Sequence, residues 1–470
     1  LTRSKRLTPL LIIAIVALGF ALVAYAYWPG IMIDDARWQY QQSVDNSYED
    51  WHPPLMAWVW RRLAFVMPGP APMLLLQLLL YWAGIALTAW WAYRRGRRGL
   101  AVAVACTGWL PAPLALTGTI IKDVLMAGCL ISATGLLLCR TLVTRSILRG
   151  AMAAASILLL FIAAALRLNA VFACVPLLLA ALPISLTRTK ARLAATAVVS
   201  AAAMLATGPA VATLVQAEKT KVDLSLMIFD LGGITEHSGV SVFPDFGVRD
   251  SVAVNRRCYD PNQWDSYSTW AKTPCPLGFA RFDQLVDEGD VSVPGLWLRA
   301  ILTHPIAYAE HRLDHFNRST WFLVRSGPRF TAWFQSVPNP WGFSVRPNAL
   351  LTAMHSYVDV MATTPIGWPI FWISVALAVL IAGLSAAARS VAVAIAASAF
   401  LYGISYLVVG VAVGMRYYLW TIVGAALAAL VLAAELRADR KRVGHRAAIV
   451  AALTVAVPTL VAAAARVVLP

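Results

Sequence analysis

Between Ile31 and Leu55 the chain reads IMIDDARWQYQQSVDNSYEDWHPPL, with five carboxylates in 25 residues and His52 ahead of a Pro-Pro pair. Carboxylates and histidines are the side chains that most often take and give protons. Three other short stretches place ionisable or amide groups in apolar surroundings. They are GTIIKDVLMAG with Lys122 and Asp123, LRLNAV with Arg167 and Asn169, and GMRYYLW with Arg416 and Tyr417. Arg holds phosphate oxygens through its planar fork, and Lys holds them as a point charge. Together these residues suit a phosphate held by Lys122, Arg167 and Arg416 beside a carboxylate, Asp34 or Asp35, that takes a proton. Any one of these cations also reads as a side chain snorkelling to water from a helix end. Three of them opposite an acid pair at one depth do not reduce to that.

The common depth follows from the elements that carry them. The chain has 470 residues, 60% hydrophobic and 13% charged, with a mean hydropathy of +0.68. A soluble domain carries about 25% charged residues. Apolar runs long enough to cross a bilayer as helices fall at roughly 8–28, 72–93, 100–117, 122–139, 151–166, 170–185, 193–215, 366–385, 390–413, 417–435 and 446–465. The expected fold is therefore an all-α polytopic membrane protein of about eleven spans. The runs are continuous and lack the alternation of a membrane β-barrel. The first run is too long for a signal-peptide core and is followed by YAYWPG, a poor cleavage site, so it reads as an anchor.

The net charge of +16 would suit a nucleic-acid partner, but its distribution argues against one. The N-terminus and the short links after the even-numbered spans hold 19 cations against two acids. That is the pattern of cytoplasmic loops. It places the loop 29–71 and the segment 217–365 outside, with Lys122, Arg167 and Arg416 at the same outer level. Asp34 and Asp35 follow the apolar Ile31-Met32-Ile33, at headgroup depth, where a carboxylate is costly unless used or paired. The loop ends in PPLMAWVWRRLAFVM, which suits a helix lying at the interface.

Three parts emerge. Residues 1–216 form a membrane module that includes the acidic loop, 217–365 an extracytoplasmic domain, and 366–470 a C-terminal module of four spans. The domain has turn punctuation, a helical stretch with Leu296, Leu298, Ile301 and Leu302 as one apolar stripe, a break near Pro305, and a second helix. His304, His311 and His315 invite a metal reading, but only the last two share a helix face and no carboxylate completes a set. Cys106, Cys129, Cys139 and Cys174 fall in spans as packing residues. Cys258 and Cys275 lie outside, where a disulfide can persist. No internal repeat of the kind found in many transporters and no Gly-rich phosphate loop is present.

With these residues in place the chain resembles the GT-C superfamily of membrane glycosyltransferases. The matching features are IDDARW after the first span, WHPPL closing the loop, KDV after the third span, RLNA near the fifth and RYY opening a late span. The layout is similar to that of aminoarabinose transferases and protein mannosyltransferases. The resemblance implies a sugar donor carried on polyprenyl phosphate, no nucleotide sugar, and an acceptor outside the membrane: an envelope glycan, a lipid or a protein. It implies that Asp35 or Asp34 is the general base. Lys122, Arg167, Arg416 and Tyr417 would bind the donor phosphate, and His52, Asp123 and Asn169 would position substrate. His52 alternatively only shapes the turn before Pro53. Some members use a divalent cation; Asp34, Asp35 and Asp123 would then hold Mg²⁺ or Mn²⁺. The Arg- and Ala-rich composition suits the inner membrane of a bacterium with a GC-rich genome. A transporter or flippase of lipid-linked sugars or other anionic lipids is the rival reading, weakened by spans almost free of charge at mid-membrane. A non-catalytic subunit is a second rival, weakened by the intact acid pair.

Overall fold

The computed structural model describes residues 2–289, 292–325, 333–387, 390–438 and 442–468. Of the links counted above, Arg389, Asp439, Arg440 and Lys441 lie outside the described residues. The architecture is helical. Extended pairing among the described residues is confined to three isolated bridges, Ile31 with Thr119, Glu49 with Glu218 and Gln263 with Ala412.

The first part contains α1 (Thr2–Ala26), α2 (Asp34–Asp45), α3 (Leu55–Leu63), α4 (Ala71–Arg94), α5 (Arg98–Cys106), α6 (Pro111–Leu116), α7 (Lys122–Arg140), α8 (Ser146–Leu166), α9 (Val171–Ala181), α10 (Lys190–Leu205) and α11 (Thr207–Leu214). The middle part contains α12 (Leu224–Ser238), α13 (Ser251–Cys258), α14 (Phe279–Glu288), α15 (Val293–Thr303), α16 (Pro305–Thr320) and α17 (Ala349–Ala362). The last part contains α18 (Pro369–Ala387), α19 (Val391–Val409), α20 (Leu419–Ala438) and α21 (His445–Val468). Among the described residues, nine helices are long and apolar enough to cross a membrane. This is the make-up of a multi-pass membrane protein.

Two of the eleven expected spans are shorter than the sequence suggests, and proline is the reason. The run at 100–117 is divided into α5 and α6 by a 3₁₀ turn at Thr107–Trp109, because Pro111 and Pro113 cannot continue a helix from upstream. The run at 170–185 gives only the 11 residues of α9, which carries Pro176 inside it and stops before Pro183. An unbroken span needs about 20 residues. Both segments nevertheless join the two ends of the bundle. At one end Arg97 donates to the carbonyl of Arg437, and Arg140 Nη1 donates to the carbonyl of Ala181 at 2.6 Å. At the other end lie Lys122 and Arg167, which begin α7 and precede α9.

Close helix approach comes from small residues. A Cβ on Gly84 would sit 2.5 Å from the Ile131 backbone, and one on Gly135 2.8 Å from the Gly84 carbonyl, so α4 and α7 meet nearly backbone to backbone. The middle part holds its own apolar core around Phe229, Ile234, Tyr267, Leu277 and Phe282. Cys258 and Cys275 are joined there by a disulfide. Ser292 and Asn348 cap the starts of α15 and α17 through their side chains. The expected stripe on α15 is split: Leu296 and Ile301 pack on this core, whereas Leu298 and Leu302 are exposed. The described residues Trp321, Met354, Val358 and Ala362 pack with the long helices instead. Asn348 reaches the Ala26 carbonyl at 2.9 Å, and Met354 and Val358 join the bundle core.

Candidate functional site

The segment after α1 and the start of α7 are stitched together before either reaches an ionisable residue. Ile31 N–H donates to the Gly118 carbonyl and Ile120 N–H donates to the Ile31 carbonyl, both at 3.0 Å. The ring of Tyr27 lies where a Cβ on Gly118 would be, 2.0 Å from its Cγ, so glycine is required for that approach. Asp35 follows four residues after Ile31 and Lys122 follows three after Thr119. The bridge therefore fixes one against the other.

Asp34 and Asp35 occupy the first turn of α2, where the exposed N–H groups favour negative charge. They point in different directions. Asp34 is two-thirds exposed and pairs with Arg37 at 3.2 Å. Asp35 turns inward: its Oδ2 accepts from Arg416 Nη1 at 2.9 Å, and its Oδ1 faces His52 Nε2 at 3.9 Å. On its other side His52 Nδ1 lies 2.6 Å from Lys122 Nζ. An ammonium only donates, so Nδ1 is the acceptor and the ring proton sits on Nε2, facing Asp35. Burial and then the Lys122 charge push the His52 pKa down to about 3, so the ring is neutral. Burial raises the Asp35 carboxyl, but Arg416, His52 and Lys122 outweigh it and hold the group below the usual carboxylate range.

A second ion pair lies alongside. Arg167 is bonded to the buried Asp123 and donates from Nε to Asn169 Oδ1 at 3.2 Å. Asn169 reaches Ser405 on α19 at 3.5 Å. The Tyr417 ring joins the two pairs, with the Arg167 guanidinium 5.1 Å and the Arg416 guanidinium 5.0 Å from its centroid. Arg416 Nη2 also donates to the Tyr417 hydroxyl at 3.1 Å. The structure thus brings Asp35, His52, Lys122, Asp123, Arg167, Asn169, Arg416 and Tyr417 to one place and leaves Asp34 at the rim.

The strand-like loop before Arg416 is held by the middle part of the chain. Trp264 N–H donates to the Val411 carbonyl at 2.9 Å and Val413 N–H to the Asn262 carbonyl at 2.8 Å. Arg312 Nη1 donates to the Gly410 carbonyl at 2.6 Å. Arg312 is anchored by Asp230, which also takes Trp297 Nε1 at 2.8 Å and faces His311 Nε2 at 3.2 Å. Tyr259 meets the other nitrogen of His311 at 2.8 Å, and His315 Nδ1 meets the Pro261 carbonyl at 2.8 Å. His311 and His315 are therefore engaged in fixing the loop, while His304 stands at the N-cap position of α16 without a side-chain cap bond, and among the described residues the three do not converge with a carboxylate as a metal-ligand group.

Asp34, Asp35 and Asp123, which would hold Mg²⁺ or Mn²⁺ if a divalent cation were used, make a poor donor set for one. Asp34 faces away, Asp35 is matched by Arg416 and Asp123 by Arg167. Among the described residues no group of three or more metal-type ligands converges. Three cations crowd the place a divalent ion would occupy, so these residues do not fit one.

No protein-family model matches this chain, and no curated protein matches it. Two solved structures do. One is the archaeal oligosaccharyltransferase AglB from Archaeoglobus fulgidus in complex with an inhibitory peptide and a dolichol-phosphate, at 14% identity and a TM-score of 0.34. The other is the A. fulgidus oligosaccharyltransferase tethered to an acceptor peptide containing the NVT sequon, at 12% identity and a TM-score of 0.31. Each alignment covers 97% of this chain but 56% and 55% of the other, so the chain spans about half the length of those enzymes. Likeness at this level is too slight to assign fold or activity.

Sequence reasoning missed Asp265, which begins a 3₁₀ turn directly after Trp264 and lies within electrostatic reach of Arg416 and Asp35. It also missed the ring cluster around Trp51. Neither has a local signal: an Asp and several Trp in a polar segment are ordinary, and their partners lie far away in sequence.

Proposed function

We propose that the chain is an integral-membrane glycosyltransferase that moves a sugar from a polyprenyl-phosphate donor to an acceptor on the outer side of a bacterial inner membrane. The observation that carries this reading is the cluster itself. Lys122, Arg167 and Arg416, from three separate segments, gather around two carboxylates, Asp35 and Asp123, at the end of an apolar helix bundle where a lipid phosphate would lie. The donor's isoprenoid chain would stay in the bilayer while its phosphate meets the three cations.

The reaction is a direct displacement. The acceptor oxygen attacks the anomeric carbon, the bond from that carbon to the phosphate oxygen breaks, and its electron pair leaves with the polyprenyl phosphate. The leaving phosphate gains a full negative charge, which three preorganised cations stabilise most when it develops. The acceptor proton goes to Asp35. In the resting arrangement Arg416 keeps that carboxylate weakly basic. A phosphate that competes for the Arg416 guanidinium removes part of this stabilisation, so donor binding raises the basicity of Asp35. His52, neutral and held by Lys122, presents Nε2–H toward Asp35 and keeps it oriented. Cys258–Cys275 braces the domain that positions the Arg416 loop.

The test is transfer by full-length protein in nanodiscs, using a panel of polyprenyl-phosphate sugars and candidate envelope acceptors. Asp35→Asn should lower transfer by about 10²–10⁴-fold, the range of a lost general base, while Asp34→Asn stays within about threefold of wild type. Equal loss in both variants would contradict the assignment of Asp35 rather than Asp34 as the base, and lipid movement across the bilayer without transfer would favour the flippase reading.

A further inference from the structure

Trp51 precedes His52, and Trp264 precedes Asp265. The two indoles are 5.9 Å apart at 30°. Trp270 stands nearly perpendicular to both, at 5.2 Å from Trp51 and 5.4 Å from Trp264. Phe279 closes the group at 5.6 Å from Trp51. Trp264 is buried, Trp51 and Phe279 are half-buried, and Trp270 is 55% exposed. Among the described residues the Asp265 carboxylate makes no hydrogen bond or ion pair, although it senses Arg416 and Asp35. Burial pushes its pKa up, with Arg416 offsetting part of that rise.

We infer that Trp270, backed by Trp51 and Trp264, is a saccharide-binding platform, with Asp265, next to Trp264 in the chain, as its polar partner on the side of Arg416. The face of a pyranose ring presents C–H bonds that carry slight positive charge, which suits the negative face of an indole. Its hydroxyls need acceptors, and an unpaired carboxylate supplies two oxygens. The location selects a sugar over other flat apolar ligands. Trp51 is one residue from His52, which bonds Lys122, and Trp264 is bonded to the loop that carries Arg416. The platform is therefore built on the two segments that also carry His52 and brace the Arg416 loop, on the side of the cluster facing the middle part of the chain. The inference rests on the glycosyl-transfer reading for its biological sense, but it concerns different residues.

The experiment uses full-length protein in nanodiscs and follows intrinsic tryptophan fluorescence during titration with methyl glycosides of common envelope sugars. In parallel, thermal stabilisation is measured with bare polyprenyl phosphate and with its glycosylated forms. At least one glycoside should give a saturable change. Trp270→Ala should weaken it at least tenfold, Trp270→Phe should hold it within about threefold, and Asp265→Asn should weaken it several-fold. If Trp270→Ala also weakens glycosylated donor but not the bare lipid phosphate, the platform holds the transferred sugar; if donor affinity is unchanged, it holds the acceptor. The inference is overturned if no glycoside changes the fluorescence, if Trp270→Ala leaves the change intact, or if Trp270 responds only to brominated lipids, as a ring resting in the headgroups would. Retained binding of bare polyprenyl phosphate with no glycoside effect sinks the platform alone. Lost phosphate binding with intact glycoside binding sinks the donor reading alone.

Discussion

At the scale of residues the site is built from two ion pairs of unequal burial. Asp123 has 1% side-chain exposure and Arg167 15%, whereas Asp35 has 21% and Arg416 18%. Removing one member of a buried pair leaves an uncompensated charge at a cost of about 3–5 kcal/mol. Arg167→Met should therefore lower the unfolding temperature far more than Arg416→Ala, whose partner Asp35 keeps contact with water and with the His52–Lys122 pair. Thermal unfolding of the two variants in the same nanodiscs checks this; a similar loss in both would mean the second pair is also sealed from water. Lys122, Arg167 and Arg416 were legible in the sequence because a cation in apolar surroundings at that end of a span is costly and stands out. Asp34 and Asp35 were not separable, because adjacent residues on a helix point about 100° apart and the choice depends on where α2 starts. Asp265 gave no signal at all, since a carboxylate in a polar segment is ordinary until the fold brings it to Arg416.

At the scale of elements, the decisive structures are short and irregular. The Ile31–Thr119 bridge sets Asp35 against Lys122, and the pairing of 262–264 with 411–413 sets Arg416. Arg312 supports the second of these by tying the Asp230 network to the Gly410 carbonyl. Replacing it by Met should raise hydrogen exchange at 411–414 by tenfold or more, while exchange in α4 and α7 stays unchanged. Unaltered exchange in that loop would show that the backbone pairing to 262–264 holds Arg416 without help. The long helices were legible from apolar length, and the break at Pro305 from proline chemistry. The shortening of two expected spans was not, because hydropathy averages over Pro111, Pro113 and Pro176, which keep the run apolar while interrupting its hydrogen bonds. The bridges were beyond reach for another reason: they pair residues nearly 90 and 150 positions apart through the backbone, which leaves no mark in side-chain pattern.

At the scale of the whole molecule, the charge segregates into basic links at one end of the bundle and a compact mixed cluster at the other, with the smaller helical core resting over that cluster. Several neutral histidines join the pieces. His52 and His315 are each pushed down to about 3, with burial the main cause in both. Their folded values lie below the unfolded value near 6.5, so the unfolded chain binds more protons between those limits. The stability they contribute is complete above about pH 6.5 and falls as the pH drops toward 3, by up to about 1.4 kcal/mol per unit for each group. The unfolding temperature should therefore decline from pH 7 to pH 5, and His315→Asn should flatten part of the decline; a level profile would contradict the neutral assignment. The central claim is tested most directly by titrating the protein with polyprenyl phosphate carrying no sugar and following thermal unfolding. Wild type and Asp35→Asn should both be stabilised, by about 2.7 kcal/mol at 100 times the dissociation constant, and Arg416→Ala should lose most of that gain. No stabilisation of wild type, or equal stabilisation of Arg416→Ala, would contradict a phosphate site at the Lys122–Arg167–Arg416 cluster.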